Sequence, residues 1–93
     1  MKHELPEITD VEIIPFRPKK GHLGFASFVI NGQFYISDVA IFSRLEGGIR
    51  LGYPVKRLAN GHTVDIFKPL SKEVDKPAES AVAIKYQELL GNV

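Results

Sequence analysis

Cysteine and tryptophan are both absent from this 93-residue chain, and methionine occurs only once. Without cysteine there can be no disulfide framework, no zinc site built on thiolates and no cysteine nucleophile. No apolar run approaches the roughly 18 residues that a membrane-spanning helix needs. The N-terminal stretch MKHELPEITDVE is acidic and interrupted by Pro6, so it lacks the apolar segment of a signal peptide. We therefore expect a soluble, cytoplasmic protein with no membrane partner.

The length and the composition indicate one small folded domain. Apolar residues make up 44% of the chain and charged residues 25%, which is ordinary for a globular protein and unlike a disordered one. A domain of this size buries only about 60–70% of the surface that its unfolded chain exposes. Further burial against a second copy would stabilise it, so length alone makes dimerisation an expectation.

The formal net charge of +1 hides an uneven distribution of charges along the chain. Residues 1–12 carry four acidic side chains against one lysine, whereas residues 50–72 carry one acidic side chain, Asp65, against five cations. The five cations are Arg50, Lys56, Arg57, Lys68 and Lys72. Such clustering is typical of a surface that faces a polyanion, although a large net charge would be the stronger sign.

An Asn-Gly pair predicts the central hairpin of an antiparallel sheet. Asn31-Gly32 separates two β-rich runs, residues 23–31 and 33–42. Both central residues of a type I′ turn need a positive φ, which asparagine and glycine tolerate. A two-residue loop would place Ile30 opposite Gln33 and continue the pairing from there.

In that register both faces of the hairpin are apolar. One face carries Leu23, Phe25, Val29, Phe34, Ile36 and Phe42, and the other carries Phe28, Ile30, Tyr35, Val39 and Ile41. A sheet with one solvated face should alternate apolar and polar residues, so something is expected to cover each face. One amphipathic helix covers one face, and a second copy of the chain is the simplest cover for the other. We expect a homodimer that forms through the sheet.

The flanking segments extend this sheet. Residues 8–16 predict a strand that Pro15 places at an edge or an end, and the basic residues 17–22 predict a mobile, solvated loop. Glu46-Gly47-Gly48 predicts a turn, and residues 49–54 predict a short strand.

A second Asn-Gly pair, Asn60-Gly61, predicts another type I′ hairpin that leads into residues 62–67. A two-residue loop would place Arg57 opposite Val64 and Lys56 opposite Asp65. The cross-strand pair of Lys56 with Asp65 would leave Arg57 and Lys68 with no nearby anion in the sequence.

Beyond residue 74 the apolar residues change to helical spacing. Ala78, Ala81, Val82, Tyr86 and Leu89 follow this period, and the predicted wet side carries Glu79, Lys85 and Glu88. Asp75 suits an N-cap, Pro77 is tolerated in a first turn, and Gly91 suits the C′ position. The pattern predicts a C-terminal helix of about four turns.

Little in the sequence indicates an enzyme or a metal site. The histidines are His3, His22 and His62, and no two of them have the i, i+4 spacing of a helical ligand pair. Ser71, His62 and Asp65 lie near one another in sequence, but no serine has a nucleophile elbow around it. The glycines form neither a phosphate loop nor a dinucleotide fingerprint. We expect no catalytic residue, no metal, no cofactor and no small-molecule substrate.

The basic hairpin has two explanations that residue chemistry alone leaves equal. Cations on a β-ribbon neutralise phosphates, and a ribbon of this width fits the major groove of a duplex. Alternatively, lysines keep an exposed edge hairpin soluble.

The chain resembles the SpoVG family of septation and sporulation regulators over nearly its whole length. The resemblance is carried by ITDVEI at residues 8–13, by FVINGQFYISDVAI at residues 28–41, and by YPVKR, NG and DIFKPL between residues 53 and 70. It implies a small α+β protein, with an antiparallel sheet of hairpins and a C-terminal helix, that dimerises through the sheet. Residues 8–93 would form this domain, and residues 1–7 would be an N-terminal extension.

The resemblance also implies a regulator that binds DNA and, in some members, RNA. The basic segment of the family falls on Lys56 and Arg57, for which we expect phosphate or base contacts, with Arg50, Lys68 and Lys72 as supporting phosphate contacts. Relatives often read Asp-Ile-Ala-His-Pro where residues 65–69 here read Asp-Ile-Phe-Lys-Pro, which removes a histidine and adds a cation. The alternative function is a protein-interaction module that does not act directly on nucleic acid.

Overall fold

The computed structural model describes residues 4–91, which form two antiparallel sheets and one helix. The elements are β1 (Ile8–Lys19), β2 (His22–Ile30), β3 (Phe34–Ser43), β4 (Ile49–Gly52), β5 (Val55–Arg57), β6 (Thr63–Asp65) and α1 (Lys72–Gly91). The main sheet has the order β1-β2-β3-β4, and β5 pairs with β6 alone. This architecture confirms the predicted α+β fold of hairpins with a C-terminal helix. Within residues 4–91, no helix is long and apolar enough to cross a membrane.

Strand β1 lies at one edge of the main sheet, where a residue such as Pro15 is tolerated. The loop predicted for residues 17–22 is wrong, because β1 runs on to Lys19, which pairs with His22. The turn is confined to Lys20 and Gly21, both of which have positive φ. Residues 17–19, half of the basic segment, are therefore exposed strand.

The hairpin at Asn31-Gly32 is confirmed, but its predicted register is wrong by one residue. Both turn residues have positive φ, and the Gln33 N–H donates to the Ile30 carbonyl at 2.9 Å, as a type I′ turn requires. The ladder nevertheless pairs Ile30 with Phe34. The backbone N–H of Asn31 donates to the carbonyl of Glu7, and its side-chain oxygen accepts from the Glu7 N–H, both at 2.8 Å. These bonds tie the turn to the start of β1, which sequence patterns around the turn do not reveal.

The shift changes which side chains share a face. Phe28 pairs with Ile36, and both are buried, whereas the predicted register placed them on opposite faces. Tyr35, predicted beside Phe28, is 68% exposed on the other face. An irregularity in β3 at Asp38, whose φ is 58°, then resets the alternation, so that Ile36 and Val39 both face the core.

The core lies between one face of the main sheet and α1. Its buried residues are Ala26, Phe28, Ile36, Val39, Ile41, Leu51, Ala78, Val82 and Tyr86. The helix contributes one residue per turn, and Val82 at the centre is 0% exposed. Leu89, predicted on the same stripe, is 44% exposed and lies outside this core.

The helix begins earlier than predicted, and its N-cap is Ser71 and not Asp75. The Ser71 Oγ accepts from the Val74 N–H at 3.2 Å, and the Ser71 carbonyl accepts from the Asp75 N–H at 3.3 Å. Pro77 consequently lies inside the helix, where it cannot donate to the carbonyl of Glu73. The Asp75 carboxylate is therefore not the cap, and it accepts a hydrogen bond from the Tyr53 hydroxyl.

The opposite face of the main sheet is not covered by any element formed from residues 4–91. We call it the open face, and its apolar members are Ile14, Phe16, Phe25, Tyr35 and Phe42. Ile14 is 71% exposed, and it lies in a cross-sheet row with Phe25, Ala40 and Gly52. The predicted apolar second face therefore exists, with a membership that the register shift has changed.

Candidate nucleic-acid interface

The strands β5 and β6 form a two-stranded ribbon in which all six paired residues are exposed. The hairpin is confirmed, but the predicted type I′ turn is wrong. Asn60 lacks a positive φ, whereas Gly61 has a φ of 88°, and the Gly61 N–H donates to the Leu58 carbonyl at 3.0 Å. This is a three-residue loop built on a type I turn with glycine in the left-handed position. The Asn60 side chain holds it by accepting from the His62 N–H at 3.0 Å.

The longer loop shifts the ribbon register by one residue. Lys56 pairs with Val64, and Arg57 pairs with Thr63, so the predicted pair of Lys56 with Asp65 is wrong. Asp65 lies instead 3.3 Å from the ammonium of Lys68, which therefore has an acidic neighbour after all. Lys56 and Arg57 make no salt bridge with any residue between 4 and 91. As consecutive strand residues, they point to opposite faces of the ribbon.

Two other predicted cations, Arg50 and Lys72, are among the residues that line a groove between the edge strand β4 and the first turns of α1. We call this the cationic groove, and its charged residues are Arg44, Arg50, Lys72, Lys76, Asp75 and Glu79. The sequence interpretation missed Arg44 and Lys76. The i, i+4 spacing of Lys76 from Lys72 on a helix could have identified Lys76. Nothing local could have identified Arg44, because 35 residues separate it from Glu79, the partner that holds it in the groove.

Both carboxylates of the cationic groove are engaged within the protein. The Arg44 guanidinium lies 2.8 Å from Glu79, and its Nε donates to the Ile49 carbonyl at 2.9 Å. Asp75 accepts from the Tyr53 hydroxyl at 2.6 Å. Arg50, Lys72 and Lys76 make no salt bridge with the residues that the structure describes.

Arg50 is positioned by aromatic packing. Its guanidinium carbon lies 4.3 Å from the centroid of the Phe42 ring, a cation–π contact. The ring in turn lies over Gly52, where a Cβ would come within 2.8 Å of it. Because Gly52 has no Cβ, the Phe42 ring can lie over β4, and the Arg50 guanidinium can stack on that ring.

Tyr53, just after β4, contacts the start of α1 through Asp75. Its ionisation should lower the stability of the folded protein at alkaline pH. Burial raises the pKa of Tyr53 well above its ordinary value, and the hydrogen bond to Asp75 raises this pKa further. The unfolded chain releases the tyrosine proton near pH 10 while the folded protein retains it. The contribution to stability is therefore complete below pH 10 and is lost as the pH rises above 10.

Tyr53→Phe should destabilise the protein by about 1–2 kcal/mol at pH 7, because Asp75 loses a donor. It should also lessen the decline in stability above pH 10. Urea unfolding at a series of pH values between 8 and 11 measures both effects. Tyr35→Phe on the open face is the matched control, and an identical alkaline decline in the two variants would contradict the assignment.

Of the three histidines, His22 and His62 lie within the described residues, and they lie in different parts of the fold. His22 stacks on Phe42 and makes edge contacts with Phe16 and Phe25, and its Nε2 is buried with no hydrogen-bond partner in the structure. His62 is exposed in the loop of the ribbon, and His3 lies outside the described residues. Within residues 4–91, no group of three His, Cys, Asp or Glu side chains converges as a metal site would require.

Comparison with known proteins identifies the domain that carries both the ribbon and the cationic groove. A family model described as SpoVG matches residues 6–88, which include both surfaces and nearly all of α1. The chain belongs to the SpoVG family. A relative from Archaeoglobus fulgidus named "Putative septation protein SpoVG" is 27% identical over 84 residues, which cover 90% of this chain and 98% of the relative. The SpoVG resemblance seen in the sequence is thus confirmed.

The structure divides the predicted site of this SpoVG-family protein into two parts. Lys56 and Arg57 lie on the ribbon, with Lys68 just after it, whereas Arg50 and Lys72 lie in the cationic groove. The assignment of all five to nucleic-acid binding stays a prediction.

Proposed function

We propose that this SpoVG-family protein is a regulator that binds nucleic acid through the ribbon, with Lys56 and Arg57 as the principal contacts. The observation that carries the proposal is their exposure on a two-stranded ribbon, with no carboxylate of residues 4–91 in salt-bridge contact. Because they point to opposite faces of the ribbon, they could reach phosphates on both walls of a groove. A β-ribbon has the width that a major groove accepts.

The cationic groove would add phosphate contacts. Glu79 forms an ion pair with Arg44, whereas Asp75 keeps its negative charge because the Tyr53 hydroxyl that donates to it is neutral. Lys72 and Lys76 still outnumber this one carboxylate. Lys72 and Lys76 are therefore the candidates here. Arg50 lines the groove as well, but its guanidinium lies over Phe42, so it would reach a phosphate only from the side of the open face. We expect Lys68 to contribute less than predicted, since Asp65 offsets part of its charge.

Fluorescence anisotropy tests the proposal, with labelled duplex DNA and labelled single-stranded RNA titrated across a series of salt concentrations. Binding to B-DNA should weaken with salt at a log–log slope of about 0.9 per phosphate neutralised. Absence of binding to both polymers at low salt would reject the proposal and favour a protein-interaction module.

We further propose that the protein is a homodimer formed through the open face. That face presents an apolar row including Ile14 and Phe25, which a second copy would cover. Glu12 and Asp38 border the same surface beside Tyr35, so its charge does not suit a polyanion. Covering it with a second copy would leave both ribbons available, and two ribbons on one duplex would gain avidity.

Ile14→Glu should convert the dimer to a monomer, because it places a charge in the apolar row of the proposed interface. Sedimentation velocity at several protein concentrations measures the mass. Leu45→Glu is the matched control, since Leu45 is fully exposed outside the open face. A monomeric mass for the unaltered protein at high concentration would refute the dimer.

A further inference from the structure

A cavity of about 530 Å³ lies on the helix side of the main sheet, away from the open face. The apolar residues that line it include Phe28, Ile30, Phe67, Leu70, Val74 and Ala78. Its volume lies within the range of small-molecule sites, about 300–1,000 Å³, and such sites are mostly apolar with a few polar groups that orient the ligand. Neither the cationic groove nor the ribbon uses it.

The polar groups of the cavity wall are mostly engaged within the protein. The Tyr53 hydroxyl donates to Asp75, and the Ser71 hydroxyl oxygen accepts from the Val74 N–H. Lys68 is the charged side chain among the residues that line the cavity. The Lys68 side chain is 59% exposed, and its ammonium lies 3.3 Å from Asp65, a weak surface pair that a ligand can replace.

The wall formed by the segment between the ribbon and α1 is itself incompletely packed. Leu70 lines the cavity but is 89% exposed, and Phe67 is 37% exposed while contacting the Tyr53 ring at 5.4 Å between centroids. An apolar ligand would cover side chains that the chain leaves in contact with solvent, which is favourable. A purely polar ligand would find only one charged group to bind.

We propose that this cavity binds a small amphiphilic monoanion, an apolar body that carries a single carboxylate, with Lys68 as its counterion. The apolar body contacts Phe28, Phe67 and Val74, and the carboxylate lies at the rim beside the Lys68 ammonium. Lys68 is also a supporting candidate for phosphate contact, but this assignment does not depend on nucleic-acid binding, because it rests on the apolar lining of the cavity.

Octanoate is the probe, titrated into ¹⁵N-labelled full-length protein and followed by amide chemical shifts, with 1-octanol as its uncharged counterpart. We expect saturable shifts at residues 67–78 and around Phe28. Lys68→Gln should weaken octanoate binding by about three- to fivefold, as the loss of an exposed ion pair does, and should leave octanol binding unchanged. Val74→Trp should fill the cavity and abolish binding of both probes.

Lys85→Gln is the matched control for charge, since Lys85 lies on the exposed part of α1 in a loose pair with Glu88. It should leave the affinity for octanoate unchanged. The ¹⁵N spectrum of each variant shows whether its fold is retained, and Lys68→Gln keeps the proposal testable if Val74→Trp unfolds.

Three results would overturn the proposal. The first is the absence of saturable shifts with either probe. The second is a set of shifts at the open face that Val74→Trp does not change, which would indicate non-specific adsorption. The third is a dimer that Val74→Trp dissociates in the absence of octanoate, which would show that a second copy occupies the cavity.

Discussion

Lys56→Ala combined with Arg57→Ala should weaken binding to duplex DNA at least about tenfold, a loss of about 1.4 kcal/mol. The two side chains are the exposed cations of the ribbon, and alanine removes both charges without touching a buried contact. The log–log slope against salt should fall by about 1.8, since each lost phosphate contact removes about 0.9. Stability should change by no more than about 0.5 kcal/mol, because neither residue makes a salt bridge within residues 4–91.

Arg17→Ala with Lys19→Ala is the matched control. It removes the same charge from exposed positions on β1, at the opposite edge of the main sheet from β4. If binding depends on the ribbon, this variant should bind nearly as tightly as the unaltered protein. Equal losses in the two double variants would indicate a response to overall charge, and an unchanged affinity in the ribbon variant would refute the site.

Val82→Asp should destabilise the protein by about 4 kcal/mol or more. Val82 is 0% exposed at the centre of the contact between α1 and the sheet, so a carboxylate there would be buried without a partner. The total stability of a domain this small is about 5–15 kcal/mol, so the variant should lose a large part of it and melt at least about 16 °C lower. Circular dichroism during thermal unfolding measures this effect, and nucleic-acid binding should be lost together with the fold.

Ile84→Asp introduces the same side chain two positions further along α1. Ile84 is 62% exposed, so we expect a change of no more than about 0.5 kcal/mol. Equal destabilisation by the two variants would contradict the packing of α1 described above.

The local chemistry of the chain predicted the kinds of elements well. Two Asn-Gly pairs located two hairpins, Pro15 placed β1 at an edge, and the change to helical spacing after residue 74 located α1. Each of these features depends on preferences that act within a few residues, such as positive φ at a turn or one apolar residue per turn. The five predicted cations are likewise readable from the sequence, and four of them are exposed on the ribbon or in the cationic groove.

Register was the principal feature that local chemistry did not predict. Asn31 is held by Glu7, 24 residues earlier in the chain, and Asn60 adopts a type I turn although its dipeptide favours type I′. A slip of one residue moves every side chain of a strand to the other face. This is why Ile36 moved to the core and why Asp65 pairs with Lys68 and not with Lys56.

By itself, then, the sequence determined that this protein is a single α+β domain with two hairpins, an apolar sheet, a C-terminal helix and a concentrated set of cations. Only the tertiary structure decided which cations are neutralised, that Arg44 and Lys76 join Arg50 and Lys72 in one groove, and that an apolar cavity lies beneath residues 67–71. The physical reason is distance along the chain. Turn and helix preferences act between near neighbours, whereas grooves, cavities and ion pairs such as Arg44 with Glu79 form between residues that only folding brings together.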